Sequence, residues 1–319
     1  MGHISKSQLT IKLSGLLEEY LTSTKRLKES TRDLLQRAWY YLIKAVGDIE
    51  MGQFSFKDAE RYQSYIIEQG LNRTTANIYI KAVRPVFTKQ VQFGTITEHP
   101  FKHLRLFRVP QDDVRVFEAG EIRAILASAP NDVWRCRIWS GLSGLRIGEV
   151  LNLTLDDIDF ENGYINIQPK KETALTWYWE PKDIDKRLVP LSPELNRLLV
   201  TSIIPSLPVG QPYLMLSEDR YLHLQWLRRI GKMSNRIKSC PDGKYCRLFK
   251  RILRGAGITK GEFHDLRKTA ITKWLGSLQV QEVQILAGHA STRTTLRYYY
   301  SANNRTIADK ARQVKMCSL

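Results

Sequence analysis

No stretch of this sequence approaches the roughly eighteen consecutive apolar residues of a membrane span, and no signal-peptide core opens it. Neither a bilayer span nor secretion is expected, so the chain reads as cytoplasmic. Cysteine is scarce, with four in 319 residues, at positions 136, 240, 246 and 317. That number and scatter argue against a disulfide framework. The one close pair, Cys240 and Cys246 in SCPDGKYC, lacks CxxC spacing and a second ligand pair, which argues against zinc. A turn at Pro241, Asp242 and Gly243 between two free thiols is the simpler reading. Also missing are a glycine-rich phosphate loop, a carboxylate cluster for catalytic magnesium, internal repeats and low-complexity tracts. Neither a metal nor a cofactor is expected.

Acid is in short supply too: 32 Asp+Glu face 49 Lys+Arg, a formal charge of +17. The excess is spread along the chain, with 17 bases against 10 acids up to Gln111 and 32 against 22 beyond it. Both parts are therefore suited to a polyanion. Nucleic acid is the commonest such partner, although an anionic membrane or plain solubility also fits a basic surface. Aliphatic and aromatic residues are plentiful, and the length suffices for two domains with separate cores.

In the first third, apolar residues recur at helical spacing. Leu9, Leu13, Leu16, Leu17, Tyr20 and Leu21 mark one amphipathic helix. Leu34, Leu35, Ala38, Tyr41, Leu42 and Ala45 mark a second, opening at Ser30 or Thr31. Residues 54–70 read as a third helix ended by Gly70, and 74–94 as a fourth, bent near Pro85. Arg73, Lys81 and Arg84 fall within roughly a quarter of the circumference of that fourth helix. They suit a phosphate-tracking stripe or an ordinary solvated face. The composition then shifts, and 104–116 reads as a linker between a helical domain at 1–103 and a second domain at 117–319.

Early in the second domain, an apolar helix through Trp134, Ile138, Leu142 and Leu145 delivers Arg146, with Glu149 one turn on. A strand is expected at Tyr164–Ile167. A hairpin is expected to pair Trp177–Trp179 with Arg187–Leu191 across a turn at Asp183–Asp185, carrying Lys182 and Lys186 at its tip. The last fifth holds the densest chemistry: FHDLRKT (263–269), ILAGHAS (285–291) and TTLRYYYS (294–301). On a helix, His264 and Arg267 point to one side and can converge on one phosphate.

Taken in order with GLSGLRIGEV (141–150), these segments closely resemble the tyrosine recombinase (phage integrase) family. The resemblance nominates Arg146, Lys182, His264, Arg267, His289 and Tyr298 as catalytic. Spacing from His289 selects Tyr298 out of Tyr298, Tyr299 and Tyr300, with Tyr299 the second choice. Counting back from Pro190 selects Lys182, with Lys170 and Lys171 as rivals. The family chemistry suits these residue types. A tyrosine phenol, with a pKa of about 10, is only about 0.1% ionised at neutral pH and needs help to attack a phosphodiester. Arg146 and Arg267 are suited to the two non-bridging oxygens, His264 to accepting the phenolic proton or orienting the phosphate, and His289 to bonding a phosphate oxygen. Lys182 is suited to protonating the departing 5′ oxygen.

The resemblance further implies a mostly α fold with a small β-sheet in the catalytic domain, in the two-domain architecture of that family. An N-terminal core-binding bundle, with Thr75, Asn77 and Tyr79 on its fourth helix, would grip DNA through Arg73, Lys81 and Arg84. The implied activity is site-specific recombination of double-stranded DNA through a 3′-phosphotyrosyl intermediate and a Holliday junction, without metal or ATP. A homo-tetramer on two DNA sites, accessory DNA-bending proteins and a nucleoid location complete the expectation. The tail at 302–319 would dock on a neighbouring protomer or pack on its own domain. With so few residues ahead of the first helix, an added arm-binding domain is not expected. Two alternatives are a catalytically degraded, integrase-like DNA-binding protein and a relaxing enzyme of the type IB topoisomerase kind.

Overall fold

A computed structural model describes residues 10–24, 27–110, 114–182, 186–296 and 298. The chain divides into two compact units, Met1–Gln111 and Asp112–Leu319. The architecture is mostly helical, with one small three-stranded antiparallel sheet among the described residues.

Helices α1 (Leu13–Ser23), α2 (Glu29–Val46), α3 (Phe56–Glu68) and α4 (Arg73–Gln92) build the first unit. Their periodic apolar residues face inward, so Leu13, Leu16, Leu35, Ala38 and Leu42 are buried with Trp39, Tyr62, Phe87 and Phe101. Buried aromatic N–H and O–H groups need partners. Trp39 Nε1 donates to the Leu13 carbonyl, and the Tyr62 hydroxyl to that of Ala38, each at 2.9 Å. The Asn72 side chain caps α4 by accepting from the Thr75 N–H at 2.8 Å, and the helix continues through Pro85.

Arg84 differs from its expected place in an outward stripe. Its Nη2 donates to the carbonyls of Phe101 (3.3 Å) and Leu104 (2.9 Å), while Asn77 exchanges two 2.9 Å bonds with the Phe107 backbone. These bonds strap residues 101–107 onto α4. Arg73 and Lys81 are exposed.

The second unit opens with α5 (Ala119–Ala127), α6 (Asp132–Leu142) and the short α7 (Ile147–Leu151). The sheet follows: β1 (Ile158–Asp159), β2 (Tyr164–Ile167) and β3 (Arg187–Pro190), with Ile165 opposite Val189 and both fully buried. Then come α8 (Pro193–Leu198), α9 (Glu218–Arg229), α10 (Asn235–Ser239), α11 (Tyr245–Gly255), α12 (Phe263–Trp274) and α13 (Val280–Ala287). Residues from α5, α6, α11, α12 and the sheet share one core.

Two expected elements come out differently. Trp177–Trp179 do not form the strand partner of β3, which pairs with β2 instead; among the described residues of the long connection between β2 and β3 there is a single bridge, Lys170 to Trp179. Aromatic packing outweighs the strand pattern there. The Trp177 ring stacks on Tyr213 at 3.9 Å, its Nε1 donates to Asn152 at 2.9 Å, and Tyr221, Leu224 and Met233 complete a satellite core. The expected turn at Asp183–Asp185 lies outside the described residues, as do Tyr299, Tyr300 and the tail at 302–319. The helix expected to deliver Arg146 ends at Leu142; Gly144 then turns the chain at φ +85°, and Arg146 becomes the residue capping α7.

A Cβ on Gly144 would sit 2.4 Å from the Trp274 ring, whereas one on Gly163, at φ +72°, would meet nothing within 4 Å. Gly163→Ala is therefore expected to cost only the left-handed backbone penalty, about 1 to 2 kcal/mol. Gly144→Ala adds the clash and should cost on the order of 2 kcal/mol more, read from urea midpoints at equal m.

Candidate active site

The site is assembled around two helix ends. At the start of α12, the Glu262 N–H donates to Asp265 (2.7 Å) and the Thr269 hydroxyl donates to the Asp265 carbonyl (2.7 Å). The Phe117 N–H in turn donates to the Thr269 hydroxyl (2.9 Å). This buried turn fixes where His264 and Arg267 leave the helix. Arg267 is 1% exposed and donates to the carbonyls of Gly144 and Ala287. Burial first, and the Arg146 charge after it, push its guanidinium down to about 9, which leaves it a cation at neutral pH.

The second end is the C-terminus of α13, where backbone carbonyls carry partial negative charge. Three arginines from three elements take three consecutive carbonyls there. Arg187 Nε bonds Leu286 at 3.0 Å, Arg267 bonds Ala287, and Arg146 Nη2 bonds Gly288 at 2.9 Å. Gly288 terminates the helix in the left-handed region at φ +56°, and a Cβ there would press on the Arg187 side chain at 3.1 Å. His289 follows at once, so the clamp on α13 also sets the start of the segment that carries it.

Glu149 balances this cluster from within. Its carboxylate receives Arg187 in a two-point fork (3.0 and 2.6 Å), the Arg146 guanidinium (3.1 Å) and the Arg146 backbone N–H (2.7 Å). Burial by itself would raise the Glu149 carboxyl, but Arg187 and then Arg146 outweigh it and hold it below its ordinary value. Two guanidiniums thus bond one buried carboxylate, and the third, Arg267, feels its charge. The remaining positive field is suited to an anion such as a phosphodiester.

The other nominated residues lie at different depths. His264 is exposed on the first turn of α12. Desolvation against the helix and the charges of Arg267 and Lys268 push its imidazole down to about 4. Water reaches the ring and screens part of that field, yet both causes act in the same direction and keep it neutral at pH 7. His289 is held by Thr295, whose hydroxyl lies 2.9 Å from Nδ1. Its ring lies nearly parallel to that of Tyr298, with centroids 5.8 Å apart and an interplanar angle of 15°. Tyr298 is buried against Ile271, Leu275, Val283 and Ala287, so its ring is seated in the core of its own unit. The structure therefore gathers Arg146, Arg267, His289 and Tyr298, with His264 at the rim.

Lys182 is exposed on the β2–β3 connection. Of its rivals, Lys170 is buried in an ion pair with Asp157 and also bonds the Thr154 hydroxyl (3.2 Å). That pairing commits Lys170 to the fold. Burial raises the Cys136 and Cys240 thiols to about 12, and no group of three His, Cys, Asp or Glu that could hold a metal occurs among the described residues.

A family profile described as phage integrase matches residues 118–305, more than half of the chain. The chain belongs to the phage integrase family. It is a tyrosine recombinase, an enzyme that breaks and rejoins DNA. The tyrosine recombinase XerA of Pyrococcus furiosus is 26% identical over 290 residues, 89% of each chain. XerC of Staphylococcus carnosus is 24% identical over 266 residues, 81% of each. Among solved structures, the Tn1549 transposon integrase in complex with transposon right end DNA aligns over 94% of this chain and 99% of its own. Its TM-score is 0.72 at 19% identity. A lambda integrase tetramer bound to a Holliday junction aligns over 92% and 83%, with a TM-score of 0.66 at 17% identity. These likenesses show that the recombinase has the integrase fold.

One member of the recombinase's charged cluster went unnoticed in the sequence. Arg187 was read as the first residue of a strand, yet it is 7% exposed and joins Glu149 to α13. The available signal was the alternation of β3: Arg187 and Val189 share the buried face, and a base on such a face needs a partner. Thr295 was noted only as part of the segment before the tyrosine, and its hold on His289 depends on the chain reversal after Gly288.

The His264 shift has a sign that can be checked. An imidazole whose folded value lies below its ordinary 6.5 stabilises the fold while neutral, and that contribution is lost as pH falls from 6.5 toward about 4. A 1H–13C NMR titration of the recombinase should find the His264 ring still neutral at pH 6. A midpoint at or above 6.5 would contradict the geometry described for α12.

Proposed function

We propose that the chain is a site-specific recombinase in which Tyr298 is the nucleophile, acting on double-stranded DNA as a homo-tetramer that bridges two sites. The Tyr298 hydroxyl oxygen forms a bond to the scissile phosphorus, and the phosphorus–O5′ bond breaks. The result is a 3′-phosphotyrosyl enzyme and a 5′-hydroxyl. His264, neutral at pH 7, takes the phenolic proton. Arg146 and Arg267 hold the two non-bridging oxygens, where negative charge grows in the transition state, and His289 donates to one of them. Lys182 protonates the departing O5′. A 5′-hydroxyl from the partner duplex reverses the attack, because the phosphotyrosine bond replaces a phosphodiester of similar energy.

The observation that carries this reading is the convergence of Arg146, Arg267 and His289 on the end of α13, with the Tyr298 ring stacked on His289. Arg73 and Lys81 are the exposed bases of α4 available to the DNA backbone, with Arg84 given to the 101–107 strap. Exchange in pairs through a Holliday junction follows from the same chemistry performed by four copies, and accessory bending proteins would set the path of the DNA. Action on DNA fits a cytoplasmic, nucleoid-associated location.

A nicked suicide duplex, carrying a site enriched by the protein from a random-sequence pool, tests the reading. Wild type is expected to form a covalent adduct, Tyr298→Phe none, and Arg146→Ala to slow adduct formation by about 10²- to 10³-fold. Adduct formation and supercoil relaxation without site preference would point to a relaxing enzyme. Tight binding without any adduct would point to a DNA-binding protein.

A further inference from the structure

We infer that Arg187, which the proposed chemistry does not use, is a positioning residue that keeps Arg146 available to the phosphate by occupying half of the Glu149 carboxylate. The inference rests on the recombinase reading of this same site.

A carboxylate offers about four acceptor positions. On Glu149 all four are filled. Oε1 accepts from Arg187 Nη1 (3.0 Å) and Arg146 Nη1 (3.1 Å), and Oε2 accepts from Arg187 Nη2 (2.6 Å) and the Arg146 backbone N–H (2.7 Å). Arg187 therefore limits the carboxylate to a single bond with the Arg146 guanidinium. Without it, Glu149 would hold a buried negative charge with two vacant positions, and the nearest cation is Arg146. A bidentate Arg–carboxylate fork is the preferred geometry for such a pair. Arg146 would be drawn onto Glu149 and away from the oxygens it is meant to hold.

Arg187 cannot replace Arg146 on the substrate, since its Nε, Nη1 and Nη2 are all committed, one to the Leu286 carbonyl and two to Glu149. It acts through two neighbours. Besides the fork, its Nε donates to the Leu286 carbonyl at 3.0 Å, which fixes the α13 end from which Gly288 and His289 depart. A lysine at 187 would supply charge without the fork and without the third bond. The function of this side chain is thus geometric as well as electrostatic.

The test compares wild type, Arg187→Lys, Arg187→Met and the double variant Arg187→Met/Glu149→Gln on the nicked suicide duplex carrying the pool-selected site. Three quantities are read for each: melting temperature, affinity for the duplex and single-turnover adduct rate. Arg187→Lys and Arg187→Met are expected to bind the duplex within about two-fold of wild type while the adduct rate falls roughly 30- to 100-fold. Replacing Glu149 by Gln in the Met background removes the charge that sequesters Arg146. The double variant should regain at least about five-fold of the lost rate, a non-additivity that a merely structural arginine would not produce. If Arg187→Met does not fold, Arg187→Lys against Arg187→Lys/Glu149→Gln gives the same comparison.

A wild-type adduct rate retained in both single variants would overturn the inference. So would loss of rate in proportion to lost affinity and melting temperature, or a double variant slower than the single. Failure of wild type itself to form an adduct would instead refute the recombinase reading beneath it.

Discussion

The buried ionic cluster around Glu149 is the constraint on which the rest of the site depends. A lone carboxylate at 3% exposure would carry a large desolvation cost, and so would each of the guanidiniums beside it. Together they satisfy one another. Each arginine also bonds one of the carbonyls of Leu286, Ala287 and Gly288, which a helix end leaves without intrahelical partners. One cluster therefore joins α7, β3, α12 and α13, elements spread over residues 147–287. It also leaves net positive charge around Arg146, whose side chain is 18% exposed, which is the electrostatic requirement for binding a phosphodiester.

Much of this was legible in the sequence because it is local. Apolar periodicity marked the first two N-terminal helices, 54–70 and 74–94 read as the third and fourth, and HDLRKT placed His264 and Arg267 on one face of α12. The ordered segments carrying Arg146, His289 and Tyr298 resembled those of the integrase family, and the profile over residues 118–305 agrees. What escaped is set by tertiary partners. Trp177–Trp179 has a strong strand pattern, but a 3.9 Å stack on Tyr213 and a bond to Asn152 fold it into a satellite core. Arg84 sits at the right angle on α4 to join a stripe, and only the 101–107 segment returning over the helix gives it internal acceptors. Arg187 was overlooked because neither Glu149 nor Leu286 is near it in sequence.

Lysines in the β2–β3 connection differ in their surroundings. Lys170 is consumed by Asp157 and Thr154 just after β2, whereas Lys182 lies exposed five residues before Arg187 opens β3. Lys170 near its start, Trp177 and Trp179 in the satellite core and the Arg187 fork at its end hold the described part of the connection to the second unit.

We propose that the scaffold ordering Arg146, Arg267 and His289 also seats the nucleophile, Tyr298, which spacing from His289 nominates and whose ring stacks on that histidine. Tandem mass spectrometry of the nuclease-trimmed covalent adduct tests it most directly, since fragment ions on either side of each tyrosine locate the nucleotide. The account predicts a nucleotide-modified Tyr298 with Tyr299 and Tyr300 unmodified; modification at Tyr299 or Tyr300 would contradict it.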